Sequence, residues 1–233
     1  MEILIPQQKT AVEDCPYIPG FKSSNLYFLA RKVSPNELEE LLNKGWRKFG
    51  PTYFKVKCPN CKLCTPIRVP IDEFLPSKGQ RKVFKKNQDL DVTIKRPEYR
   101  EEIFSIYKKH SEIKFNQEVS KDEFNITHFY NSTTSFQMEY HLKNRLVAVG
   151  FLDASLEGLN SVYFIYDPEF SKRSLGIFGA LKEIELARHL KLKYYYLGYF
   201  IQKNASMSYK SSFRPHEYYD WENQVWTEEY PLT

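Results

Sequence analysis

The sequence predicts an α/β (α+β) fold, with a mixed sheet and flanking helices in the C-terminal half and a smaller, cysteine-bearing N-terminal region. Three observations carry this expectation. Segments of alternating polarity interleave with segments of helical period along the chain. The second half reads strand, strand, strand, helix, strand. Three of the four cysteines fall between Cys58 and Cys64, in the first half. A length of 233 residues suits one large domain or two small ones and supports a core without staples. The expected division is 1–100 and 101–233.

Apolar residues at 42% and charged residues at 27% are ordinary globular values and exclude a disordered or collagen-like chain. The longest uninterrupted apolar stretch, Leu146 to Leu152, is far short of the roughly 20 residues that cross a bilayer. Met1 to Lys9 lacks the basic and apolar regions of a signal peptide. A cytoplasmic protein with no membrane partner is therefore expected. The net charge of +5 is mild, and its distribution matters more than its size. The 17 tyrosines and 17 phenylalanines suit a sheet with amphipathic pockets.

In chain order, Ser34-Pro35-Asn36-Glu37 starts a helix, with a serine N-cap, proline in the first turn and a glutamate placed for a capping box. Gly45 stops it after Leu38, Leu41 and Leu42. Tyr53 to Lys57 reads as a strand running into the cysteine loop, and Pro66 to Ile71 as another. Leu90, Val92 and Ile94 alternate with Asp91, Thr93 and Lys95, a strand with one wet face. Arg96-Pro97 opens a second helix, in which Tyr99, Ile103, Ile106 and Tyr107 share a face. Ser120 and Glu123 begin a third, ending near Asn131.

Cys58-Pro-Asn-Cys61-Lys-Leu-Cys64 is a C-x-x-C-x-x-C run, and the remaining thiol, Cys15, lies far upstream. A reducing cytosol disfavours structural disulfides. The spacing suits a zinc or Fe–S site on Cys15, Cys58, Cys61 and Cys64. It suits equally a set of reduced thiols beside an active site. The five histidines, His110, His128, His141, His189 and His216, show no paired metal-ligand spacing.

Farther on, Phe136, Met138, Tyr140 and Leu142 alternate with polar partners, Lys143-Asn144-Arg145 makes a turn, and Arg145 to Asp153 and Ser161 to Tyr166 follow as strands. Short connections make these an antiparallel meander. A loop from Asp167 to Leu175 leads into a helix to about Leu190, striped by Ile177, Phe178, Leu181 and Ile184, and then the strand Tyr194 to Tyr199. There is no internal repeat. This β-β-β-α-β order resembles the centre of the N-acetyltransferase (GNAT) fold. The resemblance implies two neighbouring strands splayed around an acyl carbonyl, and a loop before the helix whose N–H groups take phosphate. Arg173-Ser174-Leu175-Gly176 occupies that loop, although such a sequence is also an ordinary basic helix start.

From Ser77 to Arg100 the cations Lys78, Arg81, Lys82, Lys85, Lys86, Lys95, Arg96 and Arg100 are opposed only by Asp89, Asp91 and Glu98. On a helix, Arg81, Lys82, Lys85 and Lys86 form one cationic face, fit for a phosphate backbone or simply for water.

Several motifs together carry a family resemblance. Cys15-Pro-Tyr-Ile-Pro-Gly20 resembles the opening motif of the arginyl-tRNA–protein transferase superfamily, as does Cys58 to Val69. Ser77 to Asn87 is similar to the family's S-x-x-Q-R-x-x-x-x-x-N segment. Val162-Tyr163 through Asp167-Pro168, Ser174-Leu175-Gly176, Tyr196-Leu197-Gly198-Tyr199 and Met207-x-Tyr-Lys-x-x-Phe-Arg-Pro215 resemble its C-terminal block. One departure is Asn204-Ala205-Ser206, where relatives often carry Cys or Gly. The short length and the cysteine run resemble the bacterial branch, the aspartate/glutamate leucyltransferases.

The resemblance implies transfer of an aminoacyl group, leucine before arginine, from charged tRNA to the N-terminal Asp or Glu of a protein, creating a degradation signal. The reaction is aminolysis of an already activated ester, so no cofactor is required for the chemistry, and no ATP-binding loop occurs in the chain. Asp167 or Tyr199 would steer the amine, although Asp167-Pro168 also reads as a turn. Arg68, Lys210 and Arg214 would bind the acidic acceptor, or Lys210 and Arg214 would form structural ion pairs. Arg81, Lys82, Lys85, Lys86, Lys172, Arg173, Ser174 and Gly176 would meet tRNA. Two alternatives stand beside this reading. One is an acetyl-CoA-dependent N-acetyltransferase, whose usual loop is incomplete here because Phe178 takes the second glycine's place. The other is a metal-bearing tRNA-binding protein without catalysis.

Overall fold

The computed structural model describes residues 1–231. Its elements in order are β1 (Glu2–Lys9), the two-residue strands β2 (Glu13–Asp14) and β3 (Lys22–Ser23), β4 (Asn25–Arg31), α1 (Pro35–Asn43), β5 (Arg47–Phe49) and β6 (Thr52–Val56). Then come β7 (Thr65–Pro70), α2 (Lys78–Lys86), β8 (Leu90–Lys95), α3 (Glu101–Phe115), α4 (Lys121–His128), β9 (Ser135–Leu142), β10 (Arg145–Ala154) and β11 (Gly158–Tyr166). A 3₁₀ turn at Pro168–Arg173, α5 (Leu175–His189), β12 (Tyr194–Phe200), the short α6 (Ala205–Ser208), a second 3₁₀ turn at Tyr209–Ser212, β13 (Glu217–Asp220) and β14 (Val225–Thr227) complete the chain.

The expected meander, helix and parallel strand form the middle of an eight-stranded mixed sheet, ordered β14-β13-β7-β12-β11-β10-β9-β8. Strands β9, β10 and β11 run antiparallel, and β12 joins β11 in parallel after α5. A separate four-stranded sheet, β1-β4-β6-β5, is built from the first 56 residues. The division at residue 100 does not follow these sheets. β7 and β8 precede residue 100 yet belong to the large sheet, because β7 pairs with β12 and β8 with β9.

Side-chain alternation sorts the large sheet's two faces. Ala148, Leu152 and Leu159 pack with Leu181 and Ile184 of α5 on one face. Val149, Phe151 and Ile165 pack with Ile103, Ile106 and Phe124 of α3 and α4 on the other. The four-stranded sheet covers this second face farther along, where Phe28, Tyr53 and Leu38 enclose Tyr196 of β12.

Local chemistry explains the helix ends. The Ser34 hydroxyl accepts from the Glu37 N–H and the Ser34 N–H donates to Glu37 Oε2 at 2.9 Å, closing the capping box. Gly45, at φ +75°, ends α1 where the sequence placed the stop. α3 begins later than Arg96-Pro97 suggests, because the Glu98 N–H is held by Gln137 Oε1 at 3.1 Å and that stretch runs along β9 instead. α4 ends at His128, short of Asn131.

Candidate active site

The middle of the large sheet opens. β11 and β12 are paired only through Gly158–Tyr194, Leu159–Tyr195 and Asn160–Tyr196. Past that point β11 stays with β10 as far as Tyr166, while β12 stays with β7 as far as Phe200. Each strand carries a bulge just beyond the last shared pair. In β11 the register against β10 slips between Ser161 and Tyr163, and in β12 it slips between Tyr196 and Gly198. A bulge bends its strand and raises its twist, so two adjacent bulges drive the strands apart. Gly198 adopts φ +89°, which only glycine accepts cheaply.

Parting the strands leaves main-chain groups without a ladder partner, and such groups need another. Two cations supply it. Arg47 of β5 reaches from the four-stranded sheet, donating from Nη2 to the Ser161 carbonyl at 2.6 Å and from Nη1 to Asn160 Oδ1 at 2.5 Å. A Cβ on Gly198 would stand 2.9 Å from Arg47 Nη2, so the glycine also makes room for the guanidinium. Lys210 donates to the Tyr199 carbonyl at 2.6 Å. Burial, with Arg47 and Lys114 as neighbouring positive charges, pushes the Lys210 amine down to about 7. Lys114, near the end of α3, lies over the Tyr166 and Phe115 rings. The crevice therefore gathers positive charge, and one of its amines exchanges a proton near neutrality.

The expected site residues divide. Lys210 lies in the crevice. Tyr199 contributes its carbonyl there, but its phenol is turned between the sheets, accepting from the Val56 N–H at 3.2 Å. Burial holds that phenol well above its ordinary range, so it stays protonated at neutral pH. Asp167 caps the 3₁₀ turn by accepting from the Glu169 N–H and pairs with Arg145 at 2.5 Å, which is the turn reading of Asp167-Pro168. Arg68 is not open to a ligand. It is buried, pairs with Glu217 at 2.6 Å, donates to Asn43 and Tyr196, and lies over the Tyr194 and Trp226 rings. Arg214 is exposed and reaches the Ser211 carbonyl at 3.4 Å. The expected three-cation cup is thus not one cluster. His216 bonds to the Phe213 carbonyl and the Tyr218 hydroxyl, a local bracing role.

The basic segment and the basic loop do come together. α2 is the helix that makes Arg81, Lys82, Lys85 and Lys86 neighbours, capped by Ser77 and Gln80. Asn87, fully buried, donates to the Arg173 carbonyl at 2.9 Å, and Lys86 donates to the Lys172 carbonyl at 2.6 Å. At the other end of α2, Gln80 donates to the Ser212 carbonyl at 3.3 Å. The helix thus braces both loops that flank the crevice. Arg173 itself is taken up by a two-pronged pair with Asp89 at 2.7 and 2.8 Å. Ser174, at φ +56°, turns the chain into α5, and space is open around Gly176.

The four cysteines of the expected metal set lie near one another. All four are free thiols; Cys64 is buried and the others half-buried. Burial and the nearby Cys58, Cys15 and Cys61 push the Cys64 thiol up to about 12. Cys58 turns to the Ser24 carbonyl at 3.6 Å. Among the described residues no group of three or more His, Cys, Asp or Glu side chains is arranged to hold a metal ion. Cys64 packs as an apolar residue with Tyr199, Ile201, Val56 and Met207.

Arg47, Asn160 and Lys114 escaped sequence reasoning. Arg47-Lys48 is a pair of cations between Trp46 and Phe49, and that setting was the available signal. Both are buried, Lys48 against Asp153 at 3.0 Å.

Comparison with known proteins gives a consistent picture. Residues 13–82 match the model of the arginine-tRNA-protein transferase N terminus, and residues 100–220 that of its C terminus. An aspartate/glutamate leucyltransferase of Campylobacter jejuni is 31% identical over 215 residues, covering 89% of this chain and 90% of that one. One of Pseudomonas putida is 32% identical over 213 residues, covering 89% and 91%. Among solved structures, L-PGS from Bacillus licheniformis is similar at a TM-score of 0.47 and 11% identity, covering 74% of this chain and 62% of that one.

Proposed function

This chain belongs to the arginine-tRNA-protein transferase family, and from that premise we propose that it moves leucine from charged tRNA to the N-terminal Asp or Glu of a cytoplasmic protein. The leucine assignment follows the relatives' names. The product carries a bulky apolar first residue and would act as a degradation signal.

The observation that carries the reading is the parted pair β11 and β12, with Arg47 and Lys210 on the two exposed carbonyls. An aminoacyl ester laid into that opening lies beside the Arg47 guanidinium and the Lys210 amine, donors suited to hold a developing oxyanion. The acceptor α-amine, with an ordinary pKa of about 7.7–8.0, attacks the ester carbonyl carbon. The carbon–oxygen bond to the ribose breaks, the ribose oxygen takes up a proton, and the amine gives one up. Most of the remaining acceleration is positioning.

Lys210 and Lys114 provide the positive charge that an acidic acceptor side chain requires, while Arg68 holds β7, β12 and β13 together. Arg81, Lys82, Lys85, Lys86 and Lys172 form the face for tRNA phosphate. A transfer assay tests the whole reading, crossing leucyl-tRNA and arginyl-tRNA donors with peptides that begin with Asp, Glu or Ala. Label should pass from leucyl-tRNA to the Asp and Glu peptides. Transfer from neither donor, or equal transfer to the Ala peptide, would remove it.

A further inference from the structure

Between α2 and α5, on the face of the large sheet opposite α3 and α4, lies a cavity of about 400 Å³. Phe74, Phe84, Leu181 and Ile184 give it an apolar floor, and Arg81, Lys85 and Arg188 give it a cationic rim. The acid on that rim, Glu185, is already held by Lys182 at 2.5 Å. Arg188 is fixed by the Ile71 and Phe74 carbonyls at 2.9 and 3.1 Å, and Arg81 by the Pro76 carbonyl at 2.5 Å. The cavity is distinct from the crevice. The crevice loop joins α5 at Leu175, and Ile184 stands roughly 14 Å farther along at 1.5 Å per residue.

We propose that this cavity takes one unpaired nucleobase of the donor RNA's 3′ tail, with the phosphate of that nucleotide on Arg81 and Lys85. The proposal rests on the reading of charged tRNA as donor. A flat ring fits an apolar floor that offers few hydrogen bonds, and an anion fits a rim of cations. Single-stranded ends are where proteins read RNA, by stacking bases against side chains. The approach is prepared as well. Lys82 and Lys86 extend along the same helix, and Lys86 touches the loop carrying Lys172. A strand whose last nucleotide lies in the crevice passes over these cations on its way to the cavity.

Gln88, exposed on the rim, gives the decisive variant. Gln88→Trp fills the cavity and keeps every cation, and Lys85→Ala removes a charge and leaves the cavity open. Transfer is measured from leucyl-tRNA and from a leucyl ester of adenosine alone, which is too short to reach the cavity. Gln88→Trp should raise KM for leucyl-tRNA about tenfold, as expected for losing one stacked base, and leave the adenosine ester unaffected. An unchanged KM for leucyl-tRNA overturns the proposal, as does an equal loss with both donors. So does a cost from Lys85→Ala without one from Gln88→Trp, which would describe a plain charged surface. If wild-type protein uses neither donor, the donor reading itself has failed. Binding of uncharged tRNA then decides, and equal Kd for wild type and Gln88→Trp overturns the cavity assignment.

Discussion

Arg47 Nη1 stands 2.5 Å from Asn160 Oδ1, joining the four-stranded sheet to the last residue of β11 that still pairs with β12. The guanidinium is buried, and its second arm holds the Ser161 carbonyl. Arg47→Ala therefore removes a buried charge and strands two polar groups. The expected stability loss is about 3 kcal/mol, from lost charged hydrogen bonds and groups left unsatisfied. Urea unfolding measures it. Transfer at a temperature where the variant remains folded should fall at least about tenfold, a loss of roughly 1.4 kcal/mol in transition-state stabilisation. Full activity in a folded Arg47→Ala protein would show that the opening does not depend on this side chain.

Gly198 tests the same opening from the other strand. Gly198→Ala places a Cβ 2.9 Å from Arg47 Nη2 at a backbone of φ +89°. The strain of the backbone alone costs about 1–2 kcal/mol. A double-mutant cycle separates the two effects. In an Arg47→Ala background the clash disappears and only the backbone strain remains, so the two substitutions should couple by about 1 kcal/mol. Strict additivity would mean that Arg47 does not occupy the space beside Gly198.

Much of this region was legible in the sequence, and the exceptions have physical causes. Ser34 with Glu37, and Ser77 with Gln80, announce their helices because caps are local chemistry. The meander alternates in polarity, and its order with α5 and β12 implied the parting through the resemblance to the GNAT fold. Strands β1 and β4 were not anticipated. β1 is an almost fully exposed edge containing Pro6, so burial imprinted no alternation on it. Arg68 was expected to be free for substrate because a motif marks a residue without showing its neighbours. Glu217, Asn43 and Tyr196 arrive from three distant segments.

Lys210 ties acceptor choice to pH. Its amine is held near 7 by burial and by like charges, far below an ordinary lysine. A bound carboxylate would favour the charged form and raise it again. Between pH 7 and 9, binding a peptide that begins with Asp should therefore take up a proton, while a peptide beginning with Ala should not. Any proton change at the α-amine is common to both peptides and cancels. Calorimetry in buffers of different ionisation enthalpy measures the difference, and Lys210→Arg should abolish it. Equal proton uptake by the two peptides would place Lys210 outside the acceptor's reach.

Glu183 gives the last expectation, in stability rather than turnover. It lies fully buried on α5, where its Oε2 accepts from the Tyr195 hydroxyl at 2.5 Å and its Oε1 has no partner. Burial pushes the carboxyl up to about 7 from an ordinary 4.5. The folded chain then binds more protons than the unfolded chain between those two values. The stabilisation from the protonated acid is fully present below pH 4.5, and it declines as pH rises through about 7. The total at stake is about 3 kcal/mol. Glu183→Gln keeps the shape and cannot ionise, so its stability relative to wild type should improve from pH 5 to about pH 7 and level off above it. Parallel unfolding curves for the two proteins across that range would mean that the carboxyl is neutralised by something other than its own proton.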